Sequence, residues 1–375
     1  MQIYDGAVDR GLEGVIACKT AISSIVDATL CYRGYTIEDL AENSHFEEVV
    51  FLLWNDRLPT STELTQLKKD FGQGMALEGD LVDALKKLPT DVHPMAWLRT
   101  AVSTMGLWDG DANDMSEEAN HRKAIRLSAK MATLVAFFHR NREGKDFVQP
   151  NVEKSVAWNF LYMLNGEEPS SEMVKVFDTC LTLHADHELN CSAFASRVTS
   201  SSLSDMHSAI VSAIGALKGP LHGGANEQVM RTLKEIGSTE KVLPWLEEAL
   251  AEKKKIMGFG HRVYKNGDPR AKILRSMSQT MTEQSSEPQW FAMSKILDDE
   301  MKNRKGLLPN VDFYSASVYY SMGIPLDIYT PIFAVSRVTG WIAHILEQYS
   351  NNRIYRPRGE WSGKTNQSYT PIEKR

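Results

Sequence analysis

From Glu117 to Arg142 the chain runs without a proline or a glycine, and it places Ile125, Leu127, Met131, Leu134, Val135 and Phe138 at helical intervals. That stretch predicts about seven turns of helix, roughly 39 Å at 1.5 Å per residue. An element of that length forms the floor of a large helical domain. The rest of the chain agrees with it. Phe46 to Trp54 has helical spacing and stops before Pro59. Thr60-Ser-Thr-Glu63 is a capping box that opens a helix to Phe71. His93 to Trp108 carries Pro94 in its first turn, and Ser170 to Leu189 reads as a helix ending in His184-Ala-Asp-His187-Glu188. Only residues 11–34 look like strand, with Val15 to Cys18 and Ile22 to Val26 short and β-branched. The expected class is all-α, with minor β near the N-terminus alone.

Texture divides the chain. Between about 220 and 320 the expected helices are shorter, a polar run spans Ser278 to Pro288, and two basic groups occur, Lys253 to Lys255 and Lys302 to Lys305. This predicts a smaller helical domain, 220–320, inserted into a large one made of 1–219 and 321–375, with the active site in the cleft between them. Pro325 to Gln348 returns to strong helical apolarity. The segment after Ser204-Asp205 is rich in small residues (Ser208, Ala209, Ser212, Ala213, Gly215, Ala216), which suits close helix packing, either across a subunit boundary or within the core.

A net charge of −6 lacks the basic footprint of a nucleic-acid binder. No run of about 18 apolar residues could span a bilayer. Cys18, Cys31, Cys180 and Cys191 have neither the density nor the spacing of a disulfide scaffold. The N-terminus lacks the basic start and apolar core of a signal peptide. These features together predict a cytoplasmic chain.

Several short stretches carry chemistry. In Gly219-Pro-Leu-His222-Gly-Gly-Ala-Asn226 a histidine sits among glycines just before a helix starting near Ala225. The positive end of that helix would disfavour imidazolium, leaving a neutral hydrogen-bond donor; a tight turn with a capping histidine is the plainer alternative. A second histidine, His261, lies on the glycine loop Gly258-Phe-Gly260 and is followed by Asp268-Pro269-Arg270. There Asp268 is an N-cap, and Arg270 doubles an anion site at the helix start. Asn310-Val-Asp312 opens another helix, whose dipole would hold Asp312 ionised as a usable base. Arg337 sits inside an apolar helix, either paired with a structural carboxylate or waiting for an anionic substrate. His184 and His187, three apart on one helix face, form no known zinc motif and have no obvious third ligand, so no metal site is expected.

Taken together, His-Ala-Asp-His-Glu at 184–188, Gly-Pro-Leu-His-Gly-Gly-Ala-Asn at 219–226, Gly-Phe-Gly-His-Arg-Val-Tyr-Lys at 258–265, Asp-Pro-Arg at 268–270, Pro-Asn-Val-Asp at 309–312, Ser-Arg at 336–337 and Arg-Pro-Arg at 356–358 resemble the citrate synthase family in order and spacing. The resemblance covers essentially the whole chain. It implies an acyltransferase that condenses acetyl-CoA with oxaloacetate and hydrolyses citryl-CoA to citrate and CoA. The nearest alternative is a 2-methylcitrate synthase using propionyl-CoA, or an enzyme that accepts both thioesters. By resemblance Asp312 is the base, His222 donates to the thioester oxygen, and His261 polarises the oxaloacetate ketone. His187, Arg270, Arg337 and, from the second subunit of a homodimer, Arg356 hold oxaloacetate. Ile256, Gly258, Gly260, Arg262, Lys265, Lys305 and Asn310 are the expected CoA-binding residues. No cofactor is implied beyond the CoA thioester itself. The larger hexameric relatives carry an extra N-terminal domain and are inhibited by NADH; the expectation here is a dimer without that regulation.

Overall fold

The computed structural model of the chain describes residues 10–261, 263, 264 and 266–375. Among these, sixteen α-helices and one three-stranded sheet are formed, so the all-α class holds. The helix Glu117–Arg142 has the predicted bounds: Ser116 caps it by accepting from the Ala119 amide, and His139, Arg140 and Arg142 complement its C-terminal end. It packs on the buried helix Tyr329–Ser350, on Val156–Asn165 and on Ser61–Gly74. Trp97 stacks on Phe137 and Phe138 where the helix Pro94–Met105 crosses it. The Thr60 and Glu63 box forms in both directions, and its helix runs on to Gly74, three residues past the expected end.

Two expectations fail for non-local reasons. Residues 15–18 form no strand, and Val15 and Ile16 are exposed with no neighbouring strand to pair with. The hairpin instead pairs Ser23–Val26 with Thr29–Tyr32, in register Ser23 with Tyr32, and Tyr35–Thr36 adds a short third strand. Its turn residues Asp27 and Ala28 both take left-handed φ, matching the twist of a two-residue hairpin. The helix expected to reach Leu189 is Ser171–His184 and stops there. His184 and His187 therefore do not share a helix face. His184 is buried, with Nδ1 on the Cys180 carbonyl at 2.7 Å, and the chain turns through a left-handed Glu188.

The helices of the 220–320 region pack mainly on one another. Pro269–Glu283 and Ala225–Ile236 lie against Val311–Ser321, and Val242–Ala251 lies against Gln289–Lys305. Their contacts with the remainder run mainly through Ile37–Asn43, Ser171–His184, Leu326–Ile328 and Tyr329–Ser350. The loop 256–260 is bound to 308–310 by a bridge between Phe259 and Pro309 and by the Gly260 and Asn310 amides. Gly258 is obligatory there: its φ is +85°, and a Cβ would fall 2.7 Å from Val229 Cγ2 and 2.9 Å from Phe313 Cδ2.

Candidate active site

The small sheet builds one wall by gripping the turn after His184. Tyr32 Oη donates to the Asp186 carbonyl at 2.9 Å and accepts from the Asp186 amide at 3.2 Å. Ser23 Oγ donates to Asp186 Oδ2 at 2.5 Å and accepts from the Glu188 amide at 2.8 Å. The carbonyl freed at the helix end, that of His184, accepts from Arg337 Nε at 2.7 Å. His187 is thereby presented on a short, held loop. Its Nε2 lies 3.1 Å from Tyr264 Oη, and its ring meets that of His261 at 5.2 Å between centroids. Burial, then the charges of Arg270 and Arg337, hold its pKa well below the usual imidazole range.

Both other histidines have their tautomers set by backbone donors. The Ser192 amide donates to His222 Nε2 at 3.3 Å, and Ser192 Oγ lies 2.9 Å from the same nitrogen. An amide can only donate, so Nε2 accepts and the proton sits on Nδ1. Burial first, then Arg337, lowers the His222 pKa to about 4, so the ring is neutral at pH 7. The helix Ala225–Ile236 begins where expected, but burial rather than its dipole is the leading cause. His261 Nδ1 accepts from the Val263 amide at 3.0 Å and the Tyr264 amide at 3.3 Å, which puts its proton on Nε2. The Tyr264 ring packs 4.5 Å from His261 and 5.5 Å from His187.

Charge in the site is arranged around two buried guanidiniums. Asp268 caps its helix as expected, but it also grips Arg270 with both oxygens, at 2.9 Å to Nε and 2.8 Å to Nη2. It further accepts from the Val311 amide at 3.1 Å, joining the starts of two helices. Burial raises the Asp268 pKa, but Arg270 outweighs it and holds the carboxyl below its usual range. Arg337 is 1 % exposed and lies over the Phe333 ring. Among the described residues it has no carboxylate at ion-pair distance, and burial lowers its pKa to about 10, which leaves it cationic. Asn310 caps the helix Val311–Ser321 by accepting from the Asp312 amide. Asp312 feels Arg270, Asp268 and Arg337, yet burial dominates and pushes its pKa up to about 7. The expectation of a carboxylate held ionised by the helix dipole is corrected accordingly: desolvation exceeds a dipole effect of typically 0.3–1 kcal/mol.

Contacts and electrostatics thus bring together His187, His222, His261, Arg270, Arg337 and Asp312. Ile256, Gly258, Gly260 and Asn310 share the adjoining loop, where Asn310 Nδ2 donates to the Gly260 carbonyl at 2.9 Å. Lys305 is exposed at the end of Gln289–Lys305. Arg262 and Lys265 lie outside the described residues. Arg356 is exposed in the C-terminal tail, whose base is tied to Ser201 through Tyr355 and Asn352. Sequence reasoning passed over Tyr32, Ser23, Ser192 and Tyr264. Only Tyr264 carried a signal, being an aromatic residue three past a glycine-loop histidine. Among the described residues no group of three or more His, Cys, Asp and Glu side chains is arranged to hold a metal ion.

The family described as citrate synthase, C-terminal domain, matches residues 11–358. Citrate synthase 2 of Bacillus subtilis strain 168 is 54 % identical over 98 % of this chain and 99 % of its own length. A protein named 2-methylcitrate synthase 2, from Corynebacterium glutamicum, is 42 % identical over 98 % of both chains. The crystal structure of citrate synthase from Pyrobaculum aerophilum superposes with a TM-score of 0.93 at 41 % identity, covering 100 % of this chain and 97 % of that one. A family model that spans 11–358, and relatives this similar along nearly the whole length of both chains, mean that the chain belongs to the citrate synthase family.

Proposed function

We propose that the chain condenses acetyl-CoA with oxaloacetate through an enolate and hydrolyses the resulting citryl-CoA to citrate and CoA. The observation that carries the reading is Asp312, a carboxyl whose pKa burial pushes up to about 7 beside two guanidiniums. A thioester methyl is a weak carbon acid, so its proton must leave toward a base while the developing oxyanion is stabilised. Asp312, poised near neutral pH, is that base. His222, neutral and protonated on Nδ1, donates to the thioester oxygen, a contribution of about 2.7–4 kcal/mol for a preorganised donor. His261 offers Nε2–H to the oxaloacetate ketone and yields that proton as the carbon–carbon bond forms. Arg270, Arg337 and His187 receive the two carboxylates, with Arg356 arriving from a second copy of the chain in a homodimer.

The remaining assignments complete the proposal. Residues 220–320 form the smaller, CoA-binding domain and close on 1–219 and 321–375, which excludes water while the thioester is reactive. The loop Ile256 to Gly260, with Asn310, lies along CoA, while Arg262, Lys265 and Lys305 face its phosphates. This chemistry uses acid–base groups and the thioester alone, without a further cofactor. No helix among the described residues is long and apolar enough to cross a membrane. A cytoplasmic location belongs to the proposal, being a reducing compartment in which Cys18, Cys31, Cys180 and Cys191 remain free thiols.

Oxaloacetate-dependent CoA release tests it, with kcat/KM compared for acetyl-CoA and propionyl-CoA. A higher value for acetyl-CoA is expected. One methylene is worth about 1–3 kcal/mol in a pocket, or roughly 10–200-fold. A higher value for propionyl-CoA would make the enzyme a 2-methylcitrate synthase, and no CoA release with either thioester would overturn both readings.

A further inference from the structure

The turn that presents His187 is also held from behind, by buried polar groups that no step above uses. Asp186 is fully buried, and its Oδ2 faces His344 Nε2 at 3.3 Å as well as Ser23. His344, equally buried, accepts at Nδ1 from Arg197 Nε at 3.1 Å. Arg197, 2 % exposed, continues the chain through Nη1 to Gln348 Oε1 at 3.2 Å and through Nη2 to Glu347. Glu347 Oε1 then accepts from the Ala21 amide at 2.9 Å, two residues before the strand that carries Ser23.

Two physical features single this chain out. A guanidinium can only donate, so His344 Nδ1 must accept and its proton is forced onto Nε2, aimed at Asp186. The order is therefore carboxylate, neutral imidazole, guanidinium, carboxylate, with the imidazole passing a hydrogen bond between two ionised groups. Taking such ions out of water costs several kcal/mol each, and an apolar replacement is often as stable, so stability alone does not account for the arrangement. What the chain does have is reach. At one end is the His187 turn. At the other, Arg197, Glu347 and Gln348 line a cavity of about 630 Å³ with Arg353 and Tyr355, at the root of the tail that carries Arg356.

We propose that His344 is a positioning residue for the oxaloacetate pocket: its Nε2–H fixes Asp186, and so the placement of His187, in the tautomer that Arg197 and Glu347 impose. The proposal rests on the citrate synthase reading, in which His187 and Arg356 serve the same dicarboxylate. Arg337 shares the load, because it holds the carbonyl at the other side of the same turn.

The test is steady-state kinetics on His344→Phe, His344→Gln, Glu347→Gln and Ser23→Ala, with both substrates varied and thermal midpoints recorded. Loss of the Nε2 donor in His344→Phe is expected to raise KM for oxaloacetate about tenfold or more, as for a displacement on the order of 1 Å, while KM for acetyl-CoA is essentially unchanged. The amide of His344→Gln can donate to Asp186 again and recovers most of the loss. Ser23→Ala reaches Asp186 from the opposite side, and Glu347→Gln weakens the far end; both show the same split in smaller degree. If His344→Phe does not fold, those two variants decide the question alone. Equal changes in both KM values, changes that follow the thermal midpoint without a split, or no change at all would each overturn the proposal. The wild-type protein in the same assay separates the two claims: an inactive wild type refutes the function, and an active wild type with unsplit variants refutes only the relay.

Discussion

Replacing Asp312 by asparagine is expected to lower turnover steeply and, above neutral pH, to stabilise the protein. Burial moves the carboxyl pKa from an ordinary 3.8 up to about 7, against the pull of Arg270 and Arg337. An acid raised in the folded state keeps its proton where the unfolded chain has already lost it. Its contribution to stability is therefore fully present below about pH 4 and is lost as pH rises to 7. Above that, the native protein carries an ionised carboxylate in a site that disfavours it. Three pKa units correspond to about 4 kcal/mol, and screening of a side chain that keeps some solvent access reduces this toward about 2 kcal/mol. Asparagine keeps the shape and removes the charge. Turnover should fall by roughly 10²–10⁴, the usual contribution of a positioned base. Calorimetry at pH 8 should show a thermal midpoint a few degrees above wild type, with a smaller gain at pH 5. A variant no more stable than wild type at pH 8, or one gaining equally at both pH values, would refute the reasoning, because the carboxylate would then not be strained.

Two further outcomes follow from the same geometry. The kcat/KM profile, which reports groups of the free enzyme, should show an acid limb with a midpoint near pH 7 as Asp312 takes up its proton. A midpoint at or below pH 5 would return that carboxyl to the ordinary range. Gly340→Ala places a Cβ onto the Ala185 carbonyl and within 2.5 Å of Asp186 Oδ1, so the His187 turn must retreat on the order of 1 Å. Stability should drop by about 1–3 kcal/mol and kcat/KM for oxaloacetate by roughly 10²-fold, checked by denaturation and steady-state kinetics; activity within twofold of wild type would mean that the turn yields freely.

Sequence disclosed most where the determinants are local. Glu117 to Arg142 is a helix because its own periodicity and its Ser116 cap say so, and the starts at Ser61, Pro269 and Val311 are announced by Thr60, Asp268 and Asn310. What stayed hidden depends on partners far along the chain. The Ser171–His184 helix ends where it does because Arg337 takes the His184 carbonyl and Tyr32 takes both peptide groups of Asp186. No local signal marks that stop, and the apolar run before it predicts continuation. The stretch 15–18 has strand composition but no neighbour to pair with. Asp268 is legible as a cap, whereas its bidentate grip on Arg270 depends on how the arginine folds back. Ser192 is thirty residues from His222 and carries no motif, yet it decides which nitrogen of that ring bears the proton.

Protonation in the site belongs to the ensemble rather than to single motifs. Arg337 is felt by His187, by His222 and by Asp312, and it acts on all three in the same sense, disfavouring positive charge and favouring negative. Burial acts differently: it disfavours charge of either sign, so it lowers both histidines and raises the aspartate. The two effects reinforce one another on the imidazoles, which are therefore neutral with a wide margin. They oppose one another on Asp312, which is left balanced near neutrality. A dicarboxylate arriving beside Arg270 and Arg337 would cancel much of their field and leave the desolvation intact. The histidines have margin enough to remain neutral donors, while Asp312 moves upward and becomes a stronger base once the electrophile is in place. Arg337 can exert this control because it is buried without a carboxylate at ion-pair distance among the described residues. An internal partner as tight as Asp268 is for Arg270 would have offset part of that field before any substrate arrived, as Asp268 opposes Arg270 at Asp312.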